Sequence, residues 1–220
     1  MTAAHPESSK VAGLVLAAGA SRRLQGGSKL LLPYAGRPLV TAPVRAALEA
    51  GLDPVVVVVG HRGGEVRAAL VSVEDATDRV RIGAVADPSL GQGASLAAGV
   101  EVLAAEPDVG AAAVLLGDEP GVRAADIRRV VEVWRRGGAA VVRARYRDRP
   151  GHPVVFDRSW FARLAGLTGD HGAGGLLETH RDDVIEARLP GTAPVDVDTR
   201  EDYAVAARRV ASERDGGVRP

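Results

Sequence analysis

The chain has 220 residues, 46% of them hydrophobic and 25% charged, which is enough to bury a core as one domain and excludes a disordered or coiled-coil protein. Lysine and arginine number 28 and aspartate and glutamate 28, so a zero net charge excludes a chain that coats nucleic acid or an anionic membrane. With no cysteine there is no disulfide, thiolate metal site or cysteine nucleophile, which fits a reducing compartment such as the cytoplasm.

In chain order, the polar leader of residues 1–10 precedes an apolar run, Val11 to Ala18, that reads as a buried strand. Its continuation to Ala20 mimics a small-residue cleavage site, but Glu7 and a single lysine make a poor charged leader. Further strands are predicted at Pro54 to Val59, Val80 to Val85, Ala111 to Leu116 and Ala139 to Arg145. Val55 to Val59 is an unbroken valine run, the mark of a strand covered on both faces. Helical patterns fall between them at Pro38 to Ala50, Gly64 to Val71, Ala94 to Ala105 and Ala124 to Arg136, with glycines after the first and last. This alternation predicts a Rossmann-like, doubly wound α/β domain over residues 11–212 with a mostly parallel sheet. Beyond Arg145 come a short strand at Val154 to Phe156, helices near Arg158 to Ala165 and after "TGDHGAGG", and a last helix from Arg200 to about Ala211. Residues 213–220 are expected to fray.

Ligands of such sheets bind beyond the carboxyl ends of the strands. The residues there are Gly19, Ser21, Arg22, Arg23 and Lys29, then Gly60 and His61, then Asp87, and finally Gly117, Asp118 and Glu119. Cations on one loop and carboxylates on others suit a nucleoside triphosphate and its magnesium. The first loop is neither a Walker P-loop nor G-x-G-x-x-G, because Lys29 lies between Ser28 and Leu30 and Ser21 stands where a second glycine would be. Lys29 is one of only two lysines beside 26 arginines, and it is expected to be exposed on a ligand loop. Asp118 reads either as a helix cap for a segment near Pro120 or as a metal ligand. Asp196 and Asp198 have the spacing that points both side chains to one side of an extended segment, while Thr199 and Asp202 form a capping box for the last helix. His152, between prolines in "RPGHP", is the most constrained of the histidines.

Seven blocks in order, "LAAGASRRLQGGSKLLLPYAGRPLV", "VVVVVGHRGGEV", "GQGASLAAG", "LLGDEPGV", "GHPVVF", "LTGDHGAGGLL" and "VDVDTREDY", resemble the molybdenum cofactor cytidylyltransferases, within the MobA-like nucleotidyltransferases. The resemblance implies a single domain of the nucleotide-diphospho-sugar transferase type that moves CMP from CTP to a phosphorylated acceptor, molybdopterin, and releases pyrophosphate. It implies that Ala17, Ala18 and Gly19 approach the base and ribose, and that Ser21, Arg22, Arg23 and Lys29, with Gly60, bind the rest of the nucleotide. Arg22, Lys29 and Asp118 would carry catalysis, and Asp118, Asp196 and Asp198 would hold Mg2+. Asp87 and Ser95 would line the nucleotide or acceptor edge, and His152 and Asp170 the acceptor pocket. A receiving molybdoenzyme is an implied partner. Asp118-Glu119-Pro120 replaces the usual Asp-Gln-Pro, and Thr199-Arg200-Glu201-Asp202 the usual Thr-Pro-Glu-Asp. Transfer of GMP, transfer to another phosphorylated small molecule, and a non-enzymatic nucleotide-sensing or cofactor-delivery module are the competing readings.

Overall fold

A computed structural model describes residues 9–19, 28–71, 78–85, 87–137, 139–169 and 172–216. The first apolar run forms β1 (Lys10–Ala17), and the "PYAGRP" stretch folds into a hairpin of β2 (Pro33–Tyr34) and β3 (Arg37–Pro38). Ala35 and Gly36 at its tip have φ of 51° and 84°, the positive pair that a two-residue type I′ turn requires. The hairpin takes Pro38 out of the helix expected over Pro38 to Ala50, and α1 runs over Thr41–Glu49. It ends in a Schellman motif. Gly51, at φ 85°, donates to Leu48 O at 3.0 Å, and Leu52 donates to Ala47 O at 3.1 Å.

The alternation then proceeds through β4 (Val55–Val59), α2 (Gly63–Val71), β5 (Val80–Ala84), α3 (Gly91–Ala104), β6 (Val109–Leu116), α4 (Ala124–Arg135) and β7 (Val141–Arg145). It closes with β8 (Pro150–Asp157), α5 (Phe161–Ala165), α6 (Gly174–Thr179), β9 (Val184–Arg188) and α7 (Arg200–Gly216). The seven-stranded sheet has the order β5-β4-β1-β6-β8-β7-β9. All pairings are parallel except those of β8, which runs antiparallel to both β6 and β7. The doubly wound, mostly parallel α/β fold is therefore as the alternation predicts. Within this sheet two strands depart from expectation. β8 is longer than Val154 to Phe156, and β9, whose residues are mostly half-exposed or exposed at the sheet edge, carries too little apolar signal to be read as a strand.

Alternate residues of β1 feed two cores. Val15 and Ala17 join the α1, α2 and α4 face with Ile127 and Trp134, whereas Leu14 and Leu16 join the α3 and α5 face with Phe156 and Trp160. The central valines of β4 are inaccessible, Val55 to Val58 each at 0% exposure, because helices cover both faces. On the second face α3 lies so close to the sheet that a Cβ at Gly99 would fall 2.8 Å from Val58 Cγ2 and against Leu14. Gly99→Ala is expected to lower stability by about 1–3 kcal/mol through overpacking. Urea denaturation measures it, and an unchanged midpoint would show that the helix can draw back without cost.

Candidate active site

The strand order reverses direction of growth at β1, whose neighbours are β4 and β6, so the crevice for a ligand opens beyond the carboxyl ends of these strands. At Gly117 the chain folds over the end of β1. Its N–H donates to Leu16 O at 2.8 Å, and a Cβ there would sit 3.0 Å from that same oxygen. This turn delivers Asp118 to the crevice. The next helix, α4, starts only at Ala124, so Asp118 caps no helix and that reading is excluded.

Lys29 opens a short 3-10 turn, Lys29–Leu31, and is buried at 8% exposure rather than exposed on a loop. The reason is tertiary. Its Nζ lies 2.5 Å from Asp118 Oδ2 and 2.6 Å from Asp198 Oδ1, so two carboxylates from distant parts of the chain converge on one ammonium. Burial by itself would lower the Lys29 pKa, but Asp118 and Asp198 together hold it above the ordinary lysine value. The third strand of this knot is the backbone, where Val197 N–H donates to Asp118 O at 3.0 Å.

In the contacts described, Asp198 meets Lys29 whereas Asp196 meets Arg149 and Glu119. Asp198 N–H donates to Asp196 O at 3.1 Å and to Asp202 Oδ2 at 3.3 Å, so the segment bends toward α7 instead of staying extended. The capping box forms as read, with Thr199 N–H donating to Asp202 Oδ2 at 2.9 Å and Asp202 N–H to Thr199 Oγ1 at 3.1 Å. Asp196 faces Arg149 at 3.9 Å and the buried Glu119. Burial first, then the hydrogen bond and charge of Glu119, push the Asp196 carboxyl up to about 7.

Glu119, at 2% exposure, receives His152 Nδ1 at 3.2 Å. His152 arrives there because β8 runs backwards, which puts its amino end at the carboxyl ends of the parallel strands. Burial would lower the His152 pKa, but the Glu119 carboxylate raises it. For Glu119 burial is likewise outweighed, by the charge of His152, and its pKa falls below the usual range. Tyr146 Oη donates to His152 O at 2.8 Å, and Arg149 Nη2 donates to Pro194 O at 2.7 Å. Sequence reasoning missed the parts played by Tyr146 and Arg149. The density of charged and proline residues in "RYRDRPGHP" is the signal that marks that loop.

Beside His152 is an apolar pocket of about 260 Å³, walled by Leu16, Leu96, Val114 and Phe156 and rimmed by Gln92 and Arg143. Of the other anticipated residues, Ala17 ends β1, the buried Ala18 and then Gly19 follow it, and Gly60 follows β4. Asp87 follows β5 and accepts from Ser89 N at 2.9 Å and Ser89 Oγ at 2.6 Å, contacts that lower its pKa. Ser95 is buried in α3, its hydroxyl 3.4 Å from Gly91 O. Ser21, Arg22, Arg23 and Asp170 lie outside the described residues.

The donor chemistry at Lys29 suits a hard divalent cation, since two anionic oxygens already meet on a cation's position, held there by the ammonium. Among the described residues no three His, Asp or Glu side chains are gathered to hold a metal. Magnesium sites often use one or two carboxylates completed by substrate phosphates and water, and the Asp118–Asp198 pair meets that need.

The sequence pattern of the MobA-like NTP transferase domain matches residues 13–184. The chain belongs to this family. Among solved structures similar to it is Rv0371c of Mycobacterium tuberculosis H37Rv, with 34% identity, a TM-score of 0.77 and coverage of 91% of this chain and 99% of that one. The same protein has been solved with manganese, at 33% identity, a TM-score of 0.75 and coverage of 90% and 98%. Purine catabolism protein PucB of Bacillus subtilis is 30% identical over 207 residues, 90% of this chain and 97% of that protein. The bifunctional protein GlmU of Anaeromyxobacter dehalogenans is 41% identical over 133 residues, 60% of this chain. The match spans about a quarter of the length of GlmU, 26%. No helix among the described residues is long and apolar enough to cross a membrane.

The Glu119–His152 pair allows a direct test of this site. His152→Ala leaves Glu119 buried without its closest cation and is expected to cost on the order of 3 kcal/mol, the penalty for stranding one member of a buried pair. Adding Glu119→Gln should recover most of that loss. Denaturant melts of the single and double variants measure it, and strictly additive losses would show that the two side chains do not interact.

Proposed function

We propose that this chain transfers CMP from CTP to the terminal phosphate of molybdopterin and releases pyrophosphate, in the cytoplasm, before handing the product to a molybdoenzyme. The convergence of Lys29, Asp118 and Asp198 at the mouth of β1 and β6 carries this reading. An acceptor phosphate oxygen attacks the α-phosphorus, the bond to the bridging oxygen breaks, and pyrophosphate departs with the electron pair. Two anions approach, so positioning and charge stabilisation supply most of the rate. Asp118 and Asp198 would hold Mg2+, which supplies charge neutralisation between the phosphates when bound. Lys29 is then free to leave the carboxylates and meet the triphosphate, joined by Arg22 and Arg23 and by the backbone near Gly19 and Gly60. Ser21 and Asp87 complete the nucleotide's edge. Asp196, turned toward Glu119 and Arg149, supports the metal-binding segment from behind rather than by direct ligation.

The acceptor reading rests on the pocket beside His152. Its apolar walls suit the faces of a flat ring, and only Gln92, Arg143 and His152 among its side chains could meet the several hydroxyls of a sugar. His152, with Asp170, would meet the polar edge of that ring. Ser95, on α3 beside that wall, shapes the boundary between the two substrates.

The assay incubates the protein with magnesium, molybdopterin and either CTP or GTP and follows pyrophosphate. CTP turnover well above GTP turnover is expected from Ala17-Ala18-Gly19, and equal or reversed rates would move the chain to guanylyl transfer. Release with a sugar 1-phosphate and none with molybdopterin would overturn the acceptor. Asp118→Asn is expected to fold with a stability change of about 1 kcal/mol, a typical single-substitution value. Its turnover should drop on the order of 100-fold or more, as for loss of one charge-stabilising group, and its residual activity should need more magnesium. Wild-type turnover at unchanged magnesium dependence would refute the metal role.

A further inference from the structure

Between β9 and α7 the chain runs through residues 189–199 without helix or strand, and Pro190 and Pro194 bring no N–H with which to extend a ladder. Yet this segment carries Asp198, one of the two carboxylates that meet on Lys29. A side chain is placed no better than the backbone beneath it, so the course of this segment needs support.

The loop between β7 and β8 supplies it, residue after residue. Leu189 N–H donates to Arg145 O at 2.9 Å and Arg147 N–H to Gly191 O at 3.0 Å, so backbone bonding carries on beyond the paired strands β7 and β9. Side chains continue the series. Asp148 Oδ1 accepts from Ala193 N–H at 2.9 Å, and Arg149 Nη2 donates to Pro194 O at 2.7 Å. The Ala193 N–H holds the Asp148 carboxyl below the usual carboxylate range. Arg149 also lies 3.9 Å from Asp196 Oδ2, two residues before Asp198. At the far end Val197, inaccessible to solvent, donates its N–H to Asp118 O at 3.0 Å. That bond fixes one point and not a direction. The grip on Ala193, Pro194 and Asp196, on the approach to Val197, fixes the line along which the chain reaches Asp198. The same loop leads into β8 and His152, so one turn of chain supports both sides of the crevice.

We propose that Asp148 and Arg149 are positioning residues, which hold the segment before Asp198 so that its carboxylate and that of Asp118 stand where one divalent cation can bridge them. The inference rests on the metal reading of Asp118 and Asp198. Each residue acts through the backbone it grips, as supports behind metal ligands commonly do. The test is calorimetry of CTP binding to the full chain, in saturating magnesium and in EDTA, on wild type, Arg149→Ala, Asp148→Ala, Asp148→Asn and Asp118→Asn. Both loop residues are exposed, so their variants should melt within a few degrees of wild type. Wild type is expected to bind CTP more tightly with magnesium, a gain that Asp118→Asn loses. Arg149→Ala and Asp148→Ala should give up about tenfold of that gain with no fall in magnesium-free affinity. Asp148→Asn keeps the accepting oxygen and should match wild type. Equal losses with and without magnesium would mark a general loosening of the crevice and overturn the inference. So would Asp148→Asn as impaired as Asp148→Ala, or a full gain in both alanine variants beside its loss in Asp118→Asn. Wild type that binds no CTP, or binds it with no gain from magnesium or with one that Asp118→Asn keeps, would overturn the underlying metal-nucleotide reading and the inference with it.

Discussion

One buried ammonium holds the crevice together. Lys29 ties the turn that follows the first loop to Asp118 beyond β6 and to Asp198 before α7, partners separated by as many as 169 positions in the chain. Two carboxylates brought this close in a half-buried space repel each other, so the fold needs a cation between them. In the free protein the chain supplies its own. On the proposed function, a triphosphate with its metal would offer a replacement on both sides of the exchange: a divalent ion for the carboxylates and phosphate oxygens for the lysine. The same contact explains why the crevice holds together without ligand.

The sheet decides which groups meet that knot. Parallel β1, β4 and β6 present their carboxyl ends together, and the reversed β8 adds His152 to the same rim from the opposite direction. Glu119 is the link between the two sets. It pairs with His152 on one side and faces Asp196 on the other, so this acid joins the wall of the apolar pocket to the segment that carries Asp198. The compensation is mutual. Glu119 raises the His152 pKa and His152 lowers that of Glu119, each against the pull of burial.

The strands of the central sheet were legible because burial on both faces writes itself as an unbroken apolar run, as in Val55 to Val59. The capping box at Thr199 and Asp202 was legible because both partners are local. What escaped depends on tertiary contacts or weak patterns. β9 sits at an edge with little buried surface, and β2 and β3 are two residues each, below any periodic signal. The burial of Lys29 follows from partners far along the chain, and no local pattern shows that a lysine is enclosed rather than solvated. The division of Asp196 from Asp198 likewise turns on a backbone bend at the start of α7 that i, i+2 spacing does not encode.

The exchange at Lys29 is most directly measured by a crystal structure of the protein with CTP and manganese. In that complex Lys29 Nζ is expected to have left Asp118 and Asp198 for the phosphates, with the metal between the two carboxylates. A bound nucleotide with Lys29 still bridging Asp118 and Asp198 and the metal held elsewhere would contradict it.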